Sequence, residues 1–477
     1  MKRLYKISKT GLLASFLGLL MLTSCKDDLP EPFDTSSKTT VLKSIKLLNA
    51  GENGDVVLEG TIDEGAKTVS FPRVEPETDF TNLKFEAELS DGSKLDKDSY
   101  QITFDEGKSS NSLIIKVMNE PRYREYIVTL RLNIPVFGAD FGKPTIYDYS
   151  ANVLGNPAYP SFVGMSTRGT GFDGEHVLII DRGSADAHLL KVEDLKNNVI
   201  NRIQLNMTGV ELGTYIKNMG AQVNGHTYIA SLSTSGTNPL RIYHWTDPTA
   251  APEMIADLLT GTIPGAGARY GDNISFNLDD QGNGYIFMMP AAGAQILRLS
   301  VANYTEISNP VAFESPTAYG QWASYLQVGN TGSYLVTAYQ QPISIMNAAA
   351  SRSYLMKAAS VPVEGTDARV IDFNGERYLM MITTARTGTQ TARLLLYNIT
   401  SGGTISEALT LFEQDGGARP FVYEYTLTST TNTAPAAQTG YLVKKDAEGN
   451  DDTLVLYAAH TDAGFVIIEL PKSSQDD

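Results

Sequence analysis

The stretch that decides the fold is residues 367–412, whose sequence is DARVIDFNGERYLMMITTARTGTQTARLLLYNITSGGTISEALTLF. It contains short runs rich in β-branched and aromatic residues, and turns such as Asn374-Gly375 separate them. Runs of this length and composition, joined by Asn-Gly turns, are typical of antiparallel strands. The stretch therefore predicts one unit of three or four strands. The runs are residues 370–373, 377–383, 392–397 and 405–412.

Similar units recur along residues 135–477, each opened by a head residue that follows small residues where these are present. The heads lie 54, 47, 53, 47 and 50 residues apart. A period near fifty with about four strands is typical of a β-propeller blade, and the Thr, Tyr, Val and Ile content argues against a helical solenoid. We therefore predict six blades, or seven if one is degenerate. The heads are Arg168, Gln222, Arg269, Trp322, Arg369 and Arg419.

The two ends of the repeat region are expected to meet. The last unit, headed by Arg419, is predicted to carry a long insertion over residues 428–452 and to end at its third strand. Residues 146–149, which precede the first blade, are predicted to supply the missing fourth strand. Pairing of this kind would close the ring.

Residues 41–134 show about seven short alternating runs spaced by turns. This pattern predicts an all-β sandwich of immunoglobulin-like type, although the Cys–Trp–Cys set of antibody domains is absent. We interpret it as a spacer. The polar, proline-containing residues ahead of it are expected to form a flexible linker over 25–40.

The first residues of the chain predict an export signal over 1–24. Residues 2–9 are basic, residues 11–22 are almost wholly apolar, and Leu-Thr-Ser leads into Cys25. The apolar run is short for a transmembrane helix. Cys25 is the only cysteine, which excludes an intramolecular disulfide, an iron–sulfur cluster and a cysteine zinc site.

The chain is acidic, and its charge bears on possible partners. It carries 38 Lys and Arg against 54 Asp and Glu, a net charge of −16, which becomes about −20 without the leader. Such a surface repels phosphate backbones, so nucleic acid is not expected as a partner. No metal or cofactor is expected either, because the five histidines lack metal-site spacing and residues 279–284 fit a hairpin turn better than a calcium loop.

The leader also carries a resemblance to a known class of protein. Its Leu-Thr-Ser-Cys ending resembles the lipobox of bacterial lipoproteins, and Lys26-Asp27-Asp28 looks like the acidic export signal of Bacteroidetes surface lipoproteins. Together with an Ig-like spacer and a C-terminal propeller, the whole chain resembles an uncharacterised Bacteroidetes surface lipoprotein of the polysaccharide-utilisation type. The resemblance implies lipidation at Cys25, an outer-membrane location facing the exterior, and glycan capture beside an outer-membrane glycan importer complex.

The repeat predicts where a ligand would bind. First strands line the channel of a propeller, so the six heads would meet at one mouth despite their distance in sequence. Guanidinium groups bind carboxylate or sulfate bidentately, and an indole stacks on a sugar ring. The mouth is therefore predicted to bind an anionic glycan, such as one containing uronic acids. Alternatively, each arginine pairs with a carboxylate and joins adjacent blades; the candidates are Asp272, Asp372 and Asp173.

Three functions compete on these observations. A glycan-binding protein without catalysis would expose aromatic side chains, with Trp322, Tyr270 and Tyr319 as candidates. A polysaccharide lyase or glycoside hydrolase would place a carboxylate pair, or a Tyr or His base, opposite an arginine. A protein-docking propeller would present an apolar patch instead. Because neither a Gly-x-Ser-x-Gly elbow nor a sialidase box occurs, glycan binding is preferred and no catalytic residue is assigned.

Overall fold

The structure is a computed structural model. Cys25, the predicted signal peptide and residues 25–37 of the predicted linker lie outside the described residues. Where the chain is described, no helix is long and apolar enough to cross a membrane. The chain divides into two compact units between residues 135 and 136. The described residues are 38–105, 108–134, 136–150, 159–182, 187–211, 215–320, 322–428 and 431–474.

The first unit contains two sheets around one apolar core. Its strands are β1 (Leu42–Ala50), β2 (Val56–Glu59), β3 (Thr61–Asp63), β4 (Thr68–Ser70), β5 (Phe85–Leu89), β6 (Lys94–Leu95), β7 (Ser110–Asn119) and β8 (Arg122–Arg131). The sheet orders are β2-β1-β5 and β3-β4-β8-β7-β6, and β4 pairs with β8 in parallel. Alternate residues of β8, Tyr126, Val128 and Leu130, are buried in the core, as the alternating sequence requires.

In the part of the second unit that the structure describes, there are six four-stranded antiparallel sheets, and β9 (Thr145–Asp148) precedes the first of them. The first sheet consists of β10 (Thr167–Phe172), β11 (His176–Asp181), β12 (Ala187–Lys191) and β13 (Arg202–Gln204). The second consists of β14 (Met219–Val223), β15 (His226–Ala230), β16 (Leu240–Trp245) and β17 (Glu253–Leu258). The third consists of β18 (Asn273–Leu278), β19 (Gly284–Met289), β20 (Gln295–Ala302) and β21 (Glu306–Glu314).

The remaining three sheets repeat this pattern. The fourth consists of β22 (Ser324–Gln327), β23 (Tyr334–Thr337), β24 (Ser344–Met346) and β25 (Arg352–Leu355). The fifth consists of β26 (Gly365–Phe373), β27 (Glu376–Thr383), β28 (Ala392–Asn398) and β29 (Tyr423–Leu427). The sixth consists of β30 (Ala437–Lys445), β31 (Asp451–His460) and β32 (Gly464–Pro471), followed by β9 as its fourth strand.

The six sheets form a closed ring. The first strands of neighbouring sheets lie side by side, and β10 contacts both β14 and β30. An apolar core lies between each pair of neighbouring sheets, including the pair formed by the sixth and the first, where Val177 and Ile179 pack with Val455 and Ile467. The predicted closure by residues 146–149 is confirmed for residues 146–148: β9 pairs with β32, with Ile146 opposite Ile468.

Among the described residues, three helical segments interrupt the strands, and one of them corrects the sequence analysis. They are α1 (Val192–Lys196), a 3-10 turn at Thr260–Thr262, and α2 (Ile405–Glu413). The strand predicted at residues 405–412 is wrong. The Thr404 side chain accepts a hydrogen bond from Glu407 N, and the Glu407 carboxylate accepts one from Thr404 N, so a capping box starts a helix there. Its buried face consists of Ile405, Ala408, Leu409 and Phe412, which lie at helical spacing.

Because of this helix, the last sheet begins later in the chain than predicted. Because α2 lengthens the connection from β28 to β29, Arg419 lies within the fifth sheet's connection and opens no sheet. The segment interpreted as an insertion, residues 428–452, instead contains β30, which is the first strand of the sixth sheet.

Candidate functional site

The first strands enclose a channel that widens from one end to the other. At the end where β10, β18 and β22 begin, a cavity of about 30 Å³ is lined by residues of all six sheets and of the loops leading into them. The middle of the channel has about 90 Å³, and the end beside the turn between β18 and β19 opens into about 620 Å³. Ile274, Asp367 and Gln438 line both the narrow cavity and the middle. Arg369 lines both the middle and the larger space, which we call the wide opening.

Arg168 of β10 lines the narrow cavity and is 7% exposed. It donates a hydrogen bond from Nη1 to the Ala434 carbonyl, whereas its buried Nε has no hydrogen-bond partner among the described residues. Burial, together with repulsion from Arg182 and Arg269, lowers the pKa of Arg168 to about 10. At neutral pH the side chain is therefore a buried cation with unused hydrogen-bonding capacity, which favours an acceptor.

Two more arginines lie close to Arg168. Arg269 forms a bidentate pair with Asp272, with distances of 2.6 Å from Nε to Oδ2 and 3.0 Å from Nη2 to Oδ1. This pairing confirms one of the carboxylate partners considered from the sequence, and it raises the pKa of Arg269. Arg182 lies over the ring of Tyr215 at 4.4 Å from its guanidinium carbon to the ring centroid. We call this end of the channel the arginine mouth. Its side chains are those of Arg168, Arg182, Tyr215, Arg269, Trp322 and Arg386.

Trp322 is on the opposite side of the mouth, just before β22, and lines the narrow cavity with Arg168. The guanidinium of Arg386 lies 4.8 Å from the Trp322 ring centroid, and Tyr339 meets that ring edge-on at 5.4 Å. Trp322 and Tyr215 both have left-handed backbone, with φ of 57° and 60°. This conformation is costly for bulky residues, so the surrounding loops hold these two side chains in place.

Gln222 and Arg369 are deeper in the channel. Gln222 Oε1 accepts a hydrogen bond from Thr227 Oγ1 at 2.7 Å, and its buried Nε2 has no partner within the described part of the chain. Arg369 donates from Nε to Thr439 Oγ1 at 3.0 Å, and its Nη2 is 3.8 Å from Asp367. These two heads therefore line the channel wall below the mouth.

Arg419 does not join the other heads. It pairs with Asp415 at 3.0 Å and lies 5.9 Å from the Phe412 ring, beside α2. The structure thus brings Arg168, Arg269 and Trp322 to one mouth, places Gln222 and Arg369 inside the channel, and leaves Arg419 beside a helix.

Other expectations about neighbouring side chains need correction. Tyr270 and Tyr319, predicted to be exposed, are packed in the apolar cores between sheets, where their hydroxyls donate to Gln295 O and Ser344 Oγ. Asp372 pairs with Arg377, and Asp173 accepts backbone hydrogen bonds in its turn, so neither neutralises a head.

Sequence reasoning missed Arg182, Tyr215 and Arg386. Arg182 follows β11, and Arg386 comes shortly after β27, so each lies just past the end of a second strand. In an antiparallel sheet the end of the second strand lies beside the start of the first. An arginine just after an apolar second strand was therefore a usable signal for the same mouth.

The histidines contact neighbouring protein groups. His460 is buried, donates from Nδ1 to Thr461 O and accepts at Nε2 from Ala385 N. His226 and His244 contact each other, with 2.8 Å between Nδ1 and Nε2, and Tyr304 stacks on His226. Within the described ranges, no group of three or more His, Cys, Asp or Glu could hold a metal ion. Residues 279–283 form a hairpin turn in which Asp279 accepts from Gln281 N and Asn283 N.

The fold and channel define an all-β, propeller-like protein with an arginine-lined polar channel. More particularly, the chain belongs to the DUF4623 family, described as a domain of unknown function, whose model matches residues 27–473. It is similar to the crystal structure of a DUF4623 family protein from Bacteroides eggerthii DSM 20697. The identity is 39% and the TM-score 0.77, covering 92% of this chain and 100% of that chain.

More distant similarities also occur. The WD40 β-propeller domain of Doa1 has 9% identity and a TM-score of 0.34, with 76% of this chain and 87% of that chain covered. A quinonprotein alcohol dehydrogenase-like protein from Bacteroides thetaiotaomicron VPI-5482 has 11% identity and a TM-score of 0.31, with 72% and 94% covered. No curated protein matches the chain.

Proposed function

We propose that this protein binds an acidic glycan at the arginine mouth. The observation that carries the proposal is the cluster of Arg168, Arg182 and Arg269 beside Asp272, in a protein whose net charge is −16. The other carboxylate that lines the narrow cavity, Asp367, accepts hydrogen bonds from Thr439. A local excess of guanidinium groups on an acidic chain attracts anions. The carboxylate of Asp272 repels an anionic ligand only weakly, because it is already paired with Arg269.

The size of the cavity supports one mode of binding. A space of about 30 Å³ has room for about one water molecule, so a sugar ring does not fit inside it. The glycan would lie across the mouth and point one acid group toward Arg168. The ring of Trp322 and the exposed ring of Tyr215 would contact the apolar faces of the sugars.

We also propose the finer architecture and the location that the sequence predicts. Six four-stranded sheets that share six cores support a six-bladed propeller rather than a seven-bladed one. Two sheets around one core support an Ig-like sandwich for the first unit. The leader and Cys25 support a lipid-anchored protein on the outside of the outer membrane, where it would serve polysaccharide utilisation beside a glycan importer complex.

The test is native affinity electrophoresis of the protein from residue 26 onward in gels containing polygalacturonate, alginate or hyaluronan. Fully methyl-esterified polygalacturonate is the matched ligand, because esterification removes the charge and keeps the sugar. We expect at least one acidic polymer to retard the protein. The retardation should disappear when the polymer is esterified and should decrease when salt is added. Equal migration in every gel would contradict acidic-glycan binding.

The same samples test the enzyme alternative. Unsaturated ends or new reducing ends after incubation would assign a lyase or a hydrolase instead of a binding protein. Retardation without either product would exclude catalysis on that polymer.

A further inference from the structure

We propose that the wide opening is a second ligand site, which binds an uncharged saccharide. It lies at the other end of the channel from the arginine mouth and shares none of that mouth's lining residues. The proposal does not depend on acidic-glycan binding, since other residues and other chemistry carry it.

The size of the wide opening fits a small organic ligand. Its volume of about 620 Å³ lies within the range of roughly 300–1,000 Å³ that is typical of ligand pockets. The channel narrows to about 90 Å³ just below it, so a ligand that enters from this end would stop at the level of Arg369.

Aromatic rings from three sheets line this space. Phe276 and Tyr285 come from the third sheet, Tyr334 from the fourth and Tyr441 from the sixth. Phe276, Tyr285 and Tyr441 are only partly buried, and Arg298 lies 4.6 Å from the Tyr285 centroid, which fixes that ring. Partly exposed rings held in place provide flat apolar surfaces for the C–H faces of a sugar.

Polar groups surround the rings. Gln327 donates from Nε2 to Thr331 O at 2.7 Å, an orientation that keeps its Oε1 as an acceptor. Asp280 is exposed on a rigid turn, because Tyr304 Oη donates to its carbonyl at 2.7 Å and Asp279 accepts two backbone N–H groups of the same turn. Arg369, held by Thr439, supplies donors at the floor. Planar acceptors and donors around aromatic rings match the hydroxyl groups of a sugar.

The charge of the lining indicates an uncharged ligand. Asp279 and Asp280 face one guanidinium, that of Arg369, so the lining carries a net negative charge. An anionic sugar would be repelled there, whereas the arginine mouth has the opposite balance.

The sixth sheet contains a matched control for Asp280. Its first turn, residues 446–450, repeats the hydrogen bonds of residues 279–283: Asp446 accepts from Glu448 N and Asn450 N. Glu448 is exposed on that turn and does not line the wide opening. Glu448→Gln therefore removes the same charge from the same kind of turn without touching the proposed site.

The experiment is isothermal titration calorimetry of the protein from residue 26 onward with cellohexaose, maltohexaose, xylohexaose and mannohexaose. We expect at least one to bind. For that sugar, Tyr285→Ala and Asp280→Asn should each raise Kd about tenfold, whereas Glu448→Gln and Arg269→Gln should leave it unchanged. Thermal melting followed by circular dichroism checks that each variant is folded. Because Asp280 is exposed, Asp280→Asn should fold normally and still tests the site if Tyr285→Ala unfolds.

Three results would overturn the proposal. Either none of the four sugars binds, or a sugar binds with the same Kd in Asp280→Asn and Tyr285→Ala. Loss of binding in Arg269→Gln alone would place the sugar at the arginine mouth, which would also refute a second site. Failure of the wide opening would leave acidic-glycan binding intact, because the two tests use different ligands.

Discussion

His460 is a buried polar side chain with a defined hydrogen-bonding role, and it shows how such a group responds to pH. Both ring nitrogens are engaged, Nδ1 as donor to Thr461 O and Nε2 as acceptor from Ala385 N. Only the neutral ring can accept at Nε2. Burial, which disfavours the charged ring, lowers the pKa of His460 from 6.5 to about 4.

This shift predicts a loss of stability in mild acid. The unfolded chain protonates His460 below pH 6.5, and the folded chain does so only near pH 4, so the stabilisation is complete above pH 6.5 and falls as the pH approaches 4. From about pH 7.5 to about pH 5, His460 should account for on the order of 2 kcal/mol. Urea unfolding followed by the fluorescence of Trp245 and Trp322 measures it. His460→Gln should be less stable at neutral pH but lose less on acidification; an equal loss in both proteins would contradict the assignment.

At the scale of elements, the first strands of neighbouring sheets approach so closely that side chains are excluded in places. A Cβ added to Gly171 of β10 would lie 2.4 Å from Gln222 N of β14, which is backbone and cannot move aside. Glycine is therefore required at this position because it has no side chain and lets the two strands approach each other; its backbone angles are ordinary.

Gly171→Ala is expected to destabilise the second unit by about 2 kcal/mol, because the two strands must separate to admit the methyl group. The control is Gly332→Ala, since an added Cβ there meets nothing within 4 Å. Thermal unfolding followed by tryptophan fluorescence reports on this unit alone, because Trp245 and Trp322 are the chain's two tryptophans. Equal melting temperatures for the two variants would show that the strands are not tightly packed.

How far the sequence predicts these elements depends on local signals. The strands that alternate, or that are continuously apolar like β27, are visible because burial imposes their pattern. Helix α2 was misassigned although Thr404 and Glu407 form a capping box, because Ile405, Leu409 and Leu411 also lie at positions that alternate as in a strand. Because of that one error, the start of the sixth unit was placed at Arg419 instead of at β30. The positions of Arg168, Arg269 and Trp322 followed from periodicity, whereas the contact of Trp322 with Arg386 depends on loops that no period describes.

At the scale of the whole molecule, the ring is closed by a strand from its own beginning. β9 covers the edge of β32, whose residues Val466, Ile467 and Ile468 are fully buried. Without β9 this apolar strand would be an open edge, which favours fraying and aggregation.

Two truncated chains test this closure. The chain from residue 136 retains β9 and should unfold in one cooperative transition. The chain from residue 150 lacks β9 and should melt at least several degrees lower or aggregate, because one edge and part of the core beside it are exposed. The pair differs by only 14 residues. Identical melting curves would mean that β9 does not close the ring.

Ligand binding at the arginine mouth is the central claim for the whole molecule, and Trp322 provides a signal for it. Because Trp322 lines the narrow cavity and Trp245 is buried elsewhere, a ligand at the mouth should change the fluorescence of Trp322. Arg419, which belongs to the predicted head set but pairs with Asp415 beside α2, is the matched control.

The most direct measurement is therefore a fluorescence titration with oligogalacturonate of the protein from residue 26 onward. The double variant Arg182→Gln/Arg269→Gln should raise Kd by at least about a hundredfold, since each lost charge-assisted contact is worth about 1.5–3 kcal/mol. Arg419→Gln should bind like the unmodified protein. An unchanged Kd in the double variant, or an equal loss in Arg419→Gln, would contradict an arginine mouth that binds acidic glycan.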